Sequence, residues 1–192
     1  MEKEHILFIV NPISGGKRRR FKVELVEKYV DPNRFSYEIY ETIQAGDGHA
    51  KVKDSLNEFD GFVAVGGDGT VNEVFTAIVH TDKWFTVIPN GSGNGLARTL
   101  RIPMGIQDAL KNLNEASIQK IDYARINEEP FINVAGVGFD AKIASKFKKS
   151  TNRGFKSYAE ITLGELKKMK SHKVKITFDN EKIKTRVVLV SF

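Results

Sequence analysis

The 192-residue sequence contains no cysteine, only 5 prolines and no long apolar segment. The absence of cysteine excludes disulfide scaffolds, thiolate zinc sites and cysteine nucleophiles, and it agrees with a reducing compartment. The opening residues, MEKEHILFIV, hold too short an apolar run for a secretory signal, and no run elsewhere reaches membrane-spanning length. These absences indicate a soluble protein. Its 41% hydrophobic and 28% charged residues suit a globular fold with a substantial core.

Positive charge is concentrated in the C-terminal part of the sequence. Residues 1–141 hold 16 Lys and Arg against 20 Asp and Glu, a net charge of −4. Residues 142–192 hold 14 against 4, a net charge of +10. A basic segment of this kind predicts an anionic partner, which would be nucleic acid, a membrane surface or a polyphosphate. A solvated lysine-rich surface without a partner explains the charge equally well.

The first two-thirds of the chain alternates short apolar runs with amphipathic segments. Strands are predicted at 5–10, 35–41, 61–65 and 84–89, and helices at 21–30, 46–57, 71–79, up to 100 and from 106 to 113. Strands that alternate with helices predict a parallel sheet covered on both faces. The fold class is therefore α/β, with an N-terminal parallel-sheet domain at 1–121.

The pattern changes near residue 122. Short strands are predicted at 121–126, 131–135, 174–178 and 183–192, around one basic helical stretch near 158–169. A turn signal at 179–181 predicts an antiparallel hairpin. Residues 122–192 are therefore predicted to begin a second, mostly β domain. Because the last residues, VVLVSF, form an apolar strand without a polar tail, we interpret this domain as incomplete and the chain as a fragment.

Three glycine-rich loops each follow a predicted strand and precede a helix: NPISGG at 11–16, GGDGT at 66–70 and NGSGNG at 90–95. Glycines let a backbone approach a phosphate closely, and helix N-termini present free N–H groups to anions. The loops predict a phosphate-binding edge, with Thr70 as helix N-cap and Ser92 and Asn94 as side-chain donors. Asp68 repels phosphate unless it serves a proton or a metal-bound water. A tight structural turn is the alternative interpretation of its loop.

Other segments allow weaker predictions. The basic run at 17–20 either attracts phosphates, resembles a localisation signal or begins a solvated helix. The P-loop and GxSxG motifs are missing, and the four histidines lack metal-ligand spacing. GVGFDA at 136–141 matches the dinucleotide fingerprint. We interpret this match as coincidental, because it lies where the strand–helix alternation has ended.

Four ordered blocks resemble the diacylglycerol kinase catalytic-domain family of lipid kinases, which includes bacterial diacylglycerol kinases, sphingosine kinases and ceramide kinases. The blocks are NPxSGG at 11–16, GGDGTVNEV at 66–74, PxGSxNxxAR at 89–98 and GxGFDA at 136–141. GGDG alone also resembles NAD kinases and phosphofructokinases, so the order and spacing of all four blocks carry the resemblance. Gly95 stands where many bacterial diacylglycerol kinases have Asp, which leaves the identity of the lipid open.

The resemblance implies an α/β nucleotide domain at 1–121 and a β-sandwich-type lipid-binding domain, partial here, at 122–192, with the active cleft between them. It implies a kinase that uses ATP and Mg²⁺ to phosphorylate the hydroxyl of a membrane lipid, diacylglycerol or a sphingoid-type lipid. In sphingosine-kinase-like members the residue at the position of Asp68 acts as the base. Bacterial members have the base and the magnesium-site carboxylates further on, in a region that this chain lacks.

No metal ligand is therefore expected within this chain, which is expected to bind nucleotide but to have little activity alone. The resemblance implies these ATP contacts: Asn11, Ser14, Gly15, Thr42, Gly66, Gly67, Asp68, Gly69, Thr70, Val71, Asn72 and Ser92.

The expected partners are a membrane lipid and an anionic membrane surface. The protein is expected in the cytoplasm, where the basic segment would contact the inner face of the membrane. Nucleic acid is not expected, and a homodimer is left open. Two alternatives remain. An NAD-kinase-like enzyme with a soluble substrate would explain the GGDG loop but not the NPxSGG and NxxAR blocks. A non-catalytic module would bind nucleotide or an anionic surface only.

Overall fold

The structure is a computed structural model, and it describes residues 3–15, 21–149, 155–166, 168–178 and 181–191. The chain forms two compact units, Met1–Asn133 and Val134–Phe192. Gly16 and the basic run at 17–20 lie outside the described residues. The first unit contains all three of the glycine-rich loops.

The first unit is built on a parallel sheet in the strand order β2-β1-β3-β4. Its strands are β1 (Glu4–Val10), β2 (Phe35–Glu41), β3 (Gly61–Gly66) and β4 (Trp84–Pro89). Its helices are α1 (Glu24–Tyr29), α2 (Asp47–Asp54), α3 (Asp68–Ile78), α4 (Gly95–Thr99) and α5 (Ile106–Glu115). The strands agree closely with the predicted ones.

Alternating residues of the central strands face two separate hydrophobic clusters. On β1, Ile6 and Phe8 pack on one face of the sheet with residues of α1 and α5. Leu7 and Ile9 pack on the other face with residues of α2, α3 and α4. A strand that is apolar on both faces is typical of a parallel sheet covered by helices on both sides. The predicted α/β architecture is confirmed.

The start of α3 differs from the prediction. The helix begins at Asp68 with Gly67 as its N-cap, so the prediction of Thr70 as N-cap is wrong. Thr70 lies within the first turn, and its hydroxyl accepts a hydrogen bond from Asn11 Nδ2 at 3.3 Å. The carboxylate of Asp68 suits the first turn, because the positive end of the helix dipole stabilises a negative charge there.

Two short strands close the first unit. These are β5 (Ala124–Ile126) and β6 (Glu129–Phe131), which pair with each other in antiparallel fashion. The sequence predicts that a lipid-binding domain begins at residue 122, and this boundary stays a prediction.

The second unit combines two antiparallel strand pairs with a helix pair. Its elements are β7 (Gly136–Gly138), α6 (Phe139–Lys149), α7 (Phe155–Leu166), β8 (His172–Phe178), β9 (Glu181–Val187) and β10 (Leu189–Ser191). The predicted hairpin is confirmed as β8–β9, and β10 pairs with β7. The single strand predicted at 183–192 is interrupted at Val188. Helix α6 is absent from the prediction, because its lysines obscure the apolar spacing around buried Ile143.

A buried carboxylate joins α6 to α7. Glu165 is 4% exposed, with Oε1 2.6 Å from Lys146 Nζ and Oε2 2.7 Å from Lys142 Nζ. The two ammonium groups lower the pKa of Glu165 from 4.5 to about 2, although burial acts in the opposite direction. Both lysines remain about half exposed, so they hold the helix pair together and still carry positive charge at the surface.

Candidate nucleotide site at the carboxyl edge of the sheet

The three glycine-rich loops lie side by side, because β1, β3 and β4 are adjacent and parallel. Backbone hydrogen bonds continue past the strands into the loops: Asn11 N donates to Val65 O at 2.9 Å, and Asn90 N donates to Gly66 O at 2.8 Å. The strand order also reverses direction beside β1, where the chain moves first to β2 and then to β3 on the other side. Ligands of open α/β sheets bind at such an edge, outside the carboxyl ends of the strands.

The loops after β3 and β4 touch through glycine backbones. A Cβ on Gly67 would lie 3.1 Å from Gly91 Cα, and a Cβ on Gly91 would fall well inside contact distance of Gly67 Cα. Gly67 has φ −97° and ψ −170°, which any residue can adopt. These two positions therefore need glycine for the close approach of the backbones rather than for an unusual conformation.

The loop after β1 is tied to both neighbours by side chains. Asn11 Nδ2 reaches Thr70 on α3, and Asn90 Nδ2 donates to Ser14 Oγ at 3.2 Å. Asn90 is 1% exposed, and its Oδ1 has no hydrogen-bond partner among the described residues. A buried acceptor without a donor is costly, so this oxygen is suited to receive a hydrogen bond from a ligand or from water.

Asp68 links α3 to the loop after β4. Its Oδ2 accepts a hydrogen bond from Asn94 N at 3.1 Å, and its Oδ1 accepts one from Gly95 N at 2.7 Å. The carboxylate thus satisfies two amides at the start of α4, a structural task that the sequence does not show. Each oxygen keeps a further lone pair, and the residue is exposed.

The side chain of Asn94 bonds within its own loop, contrary to the prediction that it acts as a donor to phosphate. Its Oδ1 accepts from Gly91 N at 2.8 Å, and its Nδ2 donates to Gly91 O at 2.9 Å. Asn94 is 2% exposed and has φ 55°, a left-handed conformation that asparagine tolerates better than most residues. It closes its own loop, which leaves Ser92 exposed at the tip.

The predicted contact residues divide into an exposed rim and a buried layer. The rim, defined as the half-buried or exposed members, contains Asn11, Ser14, Gly15, Gly67, Asp68, Gly69, Asn72 and Ser92. The buried members are Thr42, Gly66, Thr70 and Val71. The side chain of Val71 packs in the hydrophobic core, so any contact with a ligand would have to come from its backbone. The contact roles themselves stay predictions.

Free backbone donors complete the edge. The amides of Asp68 and Gly69 belong to the first turn of α3, where no intrahelical acceptor exists. No other acceptor for these two amides occurs in the described part of the chain. An exposed helix start with free N–H groups is suited to a phosphate, and the glycine contact beside it keeps side chains out of the way.

Sequence reasoning misses one residue of the site and one residue beside it. Asn90, the position left variable in the third block, holds the unpartnered oxygen. Glu73, inside the second block, accepts hydrogen bonds from Gly46 N at 2.9 Å and Gly48 N at 3.1 Å. A polar residue directly after a buried strand is a signal for the first. Nothing local marks the second, because its partners lie 27 and 25 positions away.

Metal-ligand side chains are not clustered in the described part of the chain. Among the described residues, no group of three or more His, Asp or Glu side chains is placed to hold a metal ion. Mg²⁺ that accompanies a nucleotide takes most of its ligands from phosphates and water, and needs few from the protein.

A comparison with protein families identifies the chain. The family model described as the diacylglycerol kinase catalytic domain matches residues 5–126, which include β1–β4 and all three loops. The chain belongs to the diacylglycerol kinase catalytic-domain family. A likeness to known diacylglycerol kinases extends beyond the matched segment.

A diacylglycerol kinase of Bacillus subtilis strain 168 is 33% identical over an alignment of 199 residues, gaps included, which covers 98% of this chain and 64% of that protein. A diacylglycerol kinase of Staphylococcus aureus strain MRSA252 is 36% identical over 135 residues, or 68% of this chain and 42% of that protein. The crystal structure of a diacylglycerol kinase from Bacillus anthracis strain Sterne has a TM-score of 0.72 at 25% identity and covers 100% of this chain and 63% of that one. The chain thus spans about two-fifths to two-thirds of the length of these family members.

Proposed function

We propose that this chain binds ATP at the carboxyl edge of β1, β3 and β4. The observation that carries the proposal is the contact between Gly67 and Gly91 beside the free amides of Asp68 and Gly69. Backbone donors in such a cradle replace the water that surrounds phosphate, and they cost no rearrangement when the nucleotide arrives. Asn90 Oδ1 would accept a hydrogen bond from the nucleotide or from a water molecule bound with it.

We further propose the chemistry of a lipid kinase, in which the γ-phosphoryl group of ATP moves to the hydroxyl oxygen of a membrane lipid, diacylglycerol or a sphingoid-type lipid, and ADP leaves. Phosphoryl transfer requires positioned reactants and neutralised charge. Mg²⁺ bound with the nucleotide supplies part of that neutralisation. The chain positions the phosphates through its glycine loops. Asp68 is proposed to accept the proton of the lipid hydroxyl on a carboxylate lone pair that the two backbone amides leave free.

A lipid substrate requires contact with a membrane, and we propose that the second unit provides it at the inner face, from the cytoplasmic side. Leu163 and Leu166 lie about one turn apart on α7, and Met169 follows the helix. The three side chains are 65%, 45% and 47% exposed. Lys142 and Lys146 on α6 of the same unit are about half exposed and add positive charge. Apolar side chains with basic neighbours suit an anionic bilayer surface, where each basic residue contributes up to ~1 kcal/mol. No helix in the described residues has the length and apolar character needed to cross a membrane.

The proposal is tested by calorimetry with ATP and by a radiolabelled-ATP assay on vesicles that contain diacylglycerol, sphingosine or ceramide. We expect the chain to bind ATP and to turn over lipid poorly, since it spans only part of the length of its relatives. Absence of ATP binding would refute the nucleotide site. Robust turnover would contradict the expectation of weak activity and would identify the lipid.

Vesicle sedimentation tests the membrane contact separately. Binding should be stronger to anionic than to neutral vesicles and should weaken with added salt, because salt screens surface charges. Equal binding to both vesicle types at low salt would refute the electrostatic part of the proposal. The NAD-kinase-like alternative is not favoured, because the family model and the relatives above are those of diacylglycerol kinases.

A further inference from the structure

Helix α3 contacts the loops of all three other strands of the parallel sheet through polar side chains. Thr70 bonds to the loop after β1, and Asp68 bonds to the loop after β4. Glu73, just over one turn further along the helix, bonds to the loop after β2. The first two contacts belong to the proposed nucleotide site. The third has no role in it so far.

Glu73 satisfies the start of a different helix. Its Oε1 accepts from Gly46 N at 2.9 Å, and its Oε2 accepts from Gly48 N at 3.1 Å. Gly46 is the N-cap of α2, and Gly48 lies in its first turn, where amides have no partner within their own helix. Hydrogen bonds to a charged acceptor are stronger than neutral ones, and two from one carboxylate also fix its direction. Glu73 therefore anchors the loop at residues 42–48 on α3.

The anchored loop begins at Thr42, and Gly48 leaves space beside the side chain of that threonine. A Cβ on Gly48 would lie 2.8 Å from Glu73 Oε2 and 3.5 Å from Thr42 Cγ2, so the bare backbone of Gly48 fits between these two side chains. Thr42 is 8% exposed, and its N–H donates to Val10 O at 2.9 Å at the end of β1. Gly46 has φ +86°, which favours glycine at the turn itself. Glu73 thus holds one end of the segment that Thr42 begins, and Val10 O holds the other end through the N–H and the hydroxyl of Thr42.

We propose that Glu73 is a positioning residue of the nucleotide site, whose carboxylate holds the loop after β2 where Thr42 meets ATP. This inference rests on the proposed function, because the contact of Thr42 with ATP is part of it. Electrostatics alone predicts the opposite, that the charge of Glu73 lowers the affinity for ATP. A negative charge near a polyanion weakens binding, so removal of the charge alone would tighten it.

The decisive variant is Glu73→Gln, which keeps the size of the side chain and removes its charge. Glutamine has one acceptor oxygen, and its NH₂ group cannot accept from a second amide. We expect the Kd for ATP to rise about five- to tenfold, because the loop spends less time in the competent position. Hydrogen exchange at the Gly46 and Gly48 amides should become faster. The matched control is Glu27→Gln on α1, which removes the same charge from an exposed position and should change neither readout.

Two further variants separate position from charge. Glu73→Asp keeps the charge but is one methylene shorter, so it cannot reach both amides and should also weaken ATP binding. It carries the test if Glu73→Gln fails to fold. In a Thr42→Val background, Glu73→Gln should have little further effect on the Kd, because both changes act on the same loop. A general loss of stability would instead add to the effect of Thr42→Val.

The outcomes are distinct. Unchanged ATP affinity or tighter binding in folded Glu73→Gln, with normal binding by the unaltered chain, refutes the positioning role alone. Full additivity with Thr42→Val refutes it as well. If the unaltered chain does not bind ATP, the proposed function fails and this role fails with it. A rise in Kd for both Glu73 variants, no change for Glu27→Gln and faster exchange at Gly46 and Gly48 together support it.

Discussion

The contact between the loops after β3 and β4 predicts a graded response to alanine at three glycines. A Cβ on Gly91 would collide with the Cα of Gly67 and lie 2.8 Å from Asn94 Oδ1. Both neighbours are held by backbone structure or by hydrogen bonds, so the loops must separate. Overpacking of this kind costs about 1–3 kcal/mol. For a chain of this length, a change of that size lowers Tm by roughly 3–10 °C.

The same loops supply two comparisons for Gly91→Ala. A Cβ on Gly67 would be 3.1 Å from Gly91 Cα, a milder contact, so Gly67→Ala should cost under ~1 kcal/mol. A Cβ on Gly69 would meet nothing within 4 Å, and Gly69 lies inside α3. Alanine in a helix is more stable than glycine by about 0.5–1 kcal/mol, so Gly69→Ala should raise Tm slightly.

Thermal unfolding followed by circular dichroism measures the series, and calorimetry with ATP measures its consequence. The expected order of Tm is Gly69→Ala above the unaltered chain, then Gly67→Ala, then Gly91→Ala. Gly67→Val should stay folded and lose ATP binding, because its branched side chain occupies the phosphate cradle. If Gly91→Ala melts at the same temperature as the unaltered chain, the two loops do not touch. Unchanged ATP affinity of a folded Gly67→Val would show that the nucleotide binds elsewhere.

Two further predictions concern carboxylates. Asp68→Asn replaces two acceptor oxygens by one, so it should lower Tm by about 2–6 °C in thermal unfolding and leave ATP affinity equal or slightly tighter. In a longer family member it should lower turnover by at least ~10²-fold, and full activity there would remove Asp68 from the mechanism. Glu165 has its pKa lowered from 4.5 to about 2, so its contribution to stability is present above pH 4.5 and is lost as the pH falls toward 2. Glu165→Gln should remove that part of the acid unfolding profile, and an unchanged profile would contradict the ion pairs with Lys142 and Lys146.

The order and class of the main elements could be predicted from the sequence. Four apolar runs separated by amphipathic segments favour a parallel sheet between two layers of helices, because that arrangement covers both faces of the strands. The glycine loops follow from the same pattern, because each stands between a buried strand and a helix. The motifs also predicted the family, which the match over residues 5–126 confirms.

The second unit was predicted less well, for a physical reason. The sequence of α6 contains four lysines besides the buried Ile143, so its hydrophobic pattern is weak, and the sequence prediction places no helix there. The prediction of the N-cap of α3 was also wrong. Thr70 suits an N-cap by residue type, but the helix starts earlier, with Gly67 as N-cap, and the side chains of Asp68 and Thr70 bond to other loops instead.

The contacts within the site were decided only by the tertiary structure. Asn90 meets Ser14 across 76 positions, Asp68 meets Gly95 across 27, and Glu73 meets Gly46 across 27. The local sequence pattern indicates which residues face solvent and where the backbone can form a turn, since both depend on neighbouring residues in the chain. Which donor faces which acceptor depends instead on strand order and helix packing. The sequence therefore predicted a phosphate-binding edge, and the fold determined that α3 holds the three other loops in place around it.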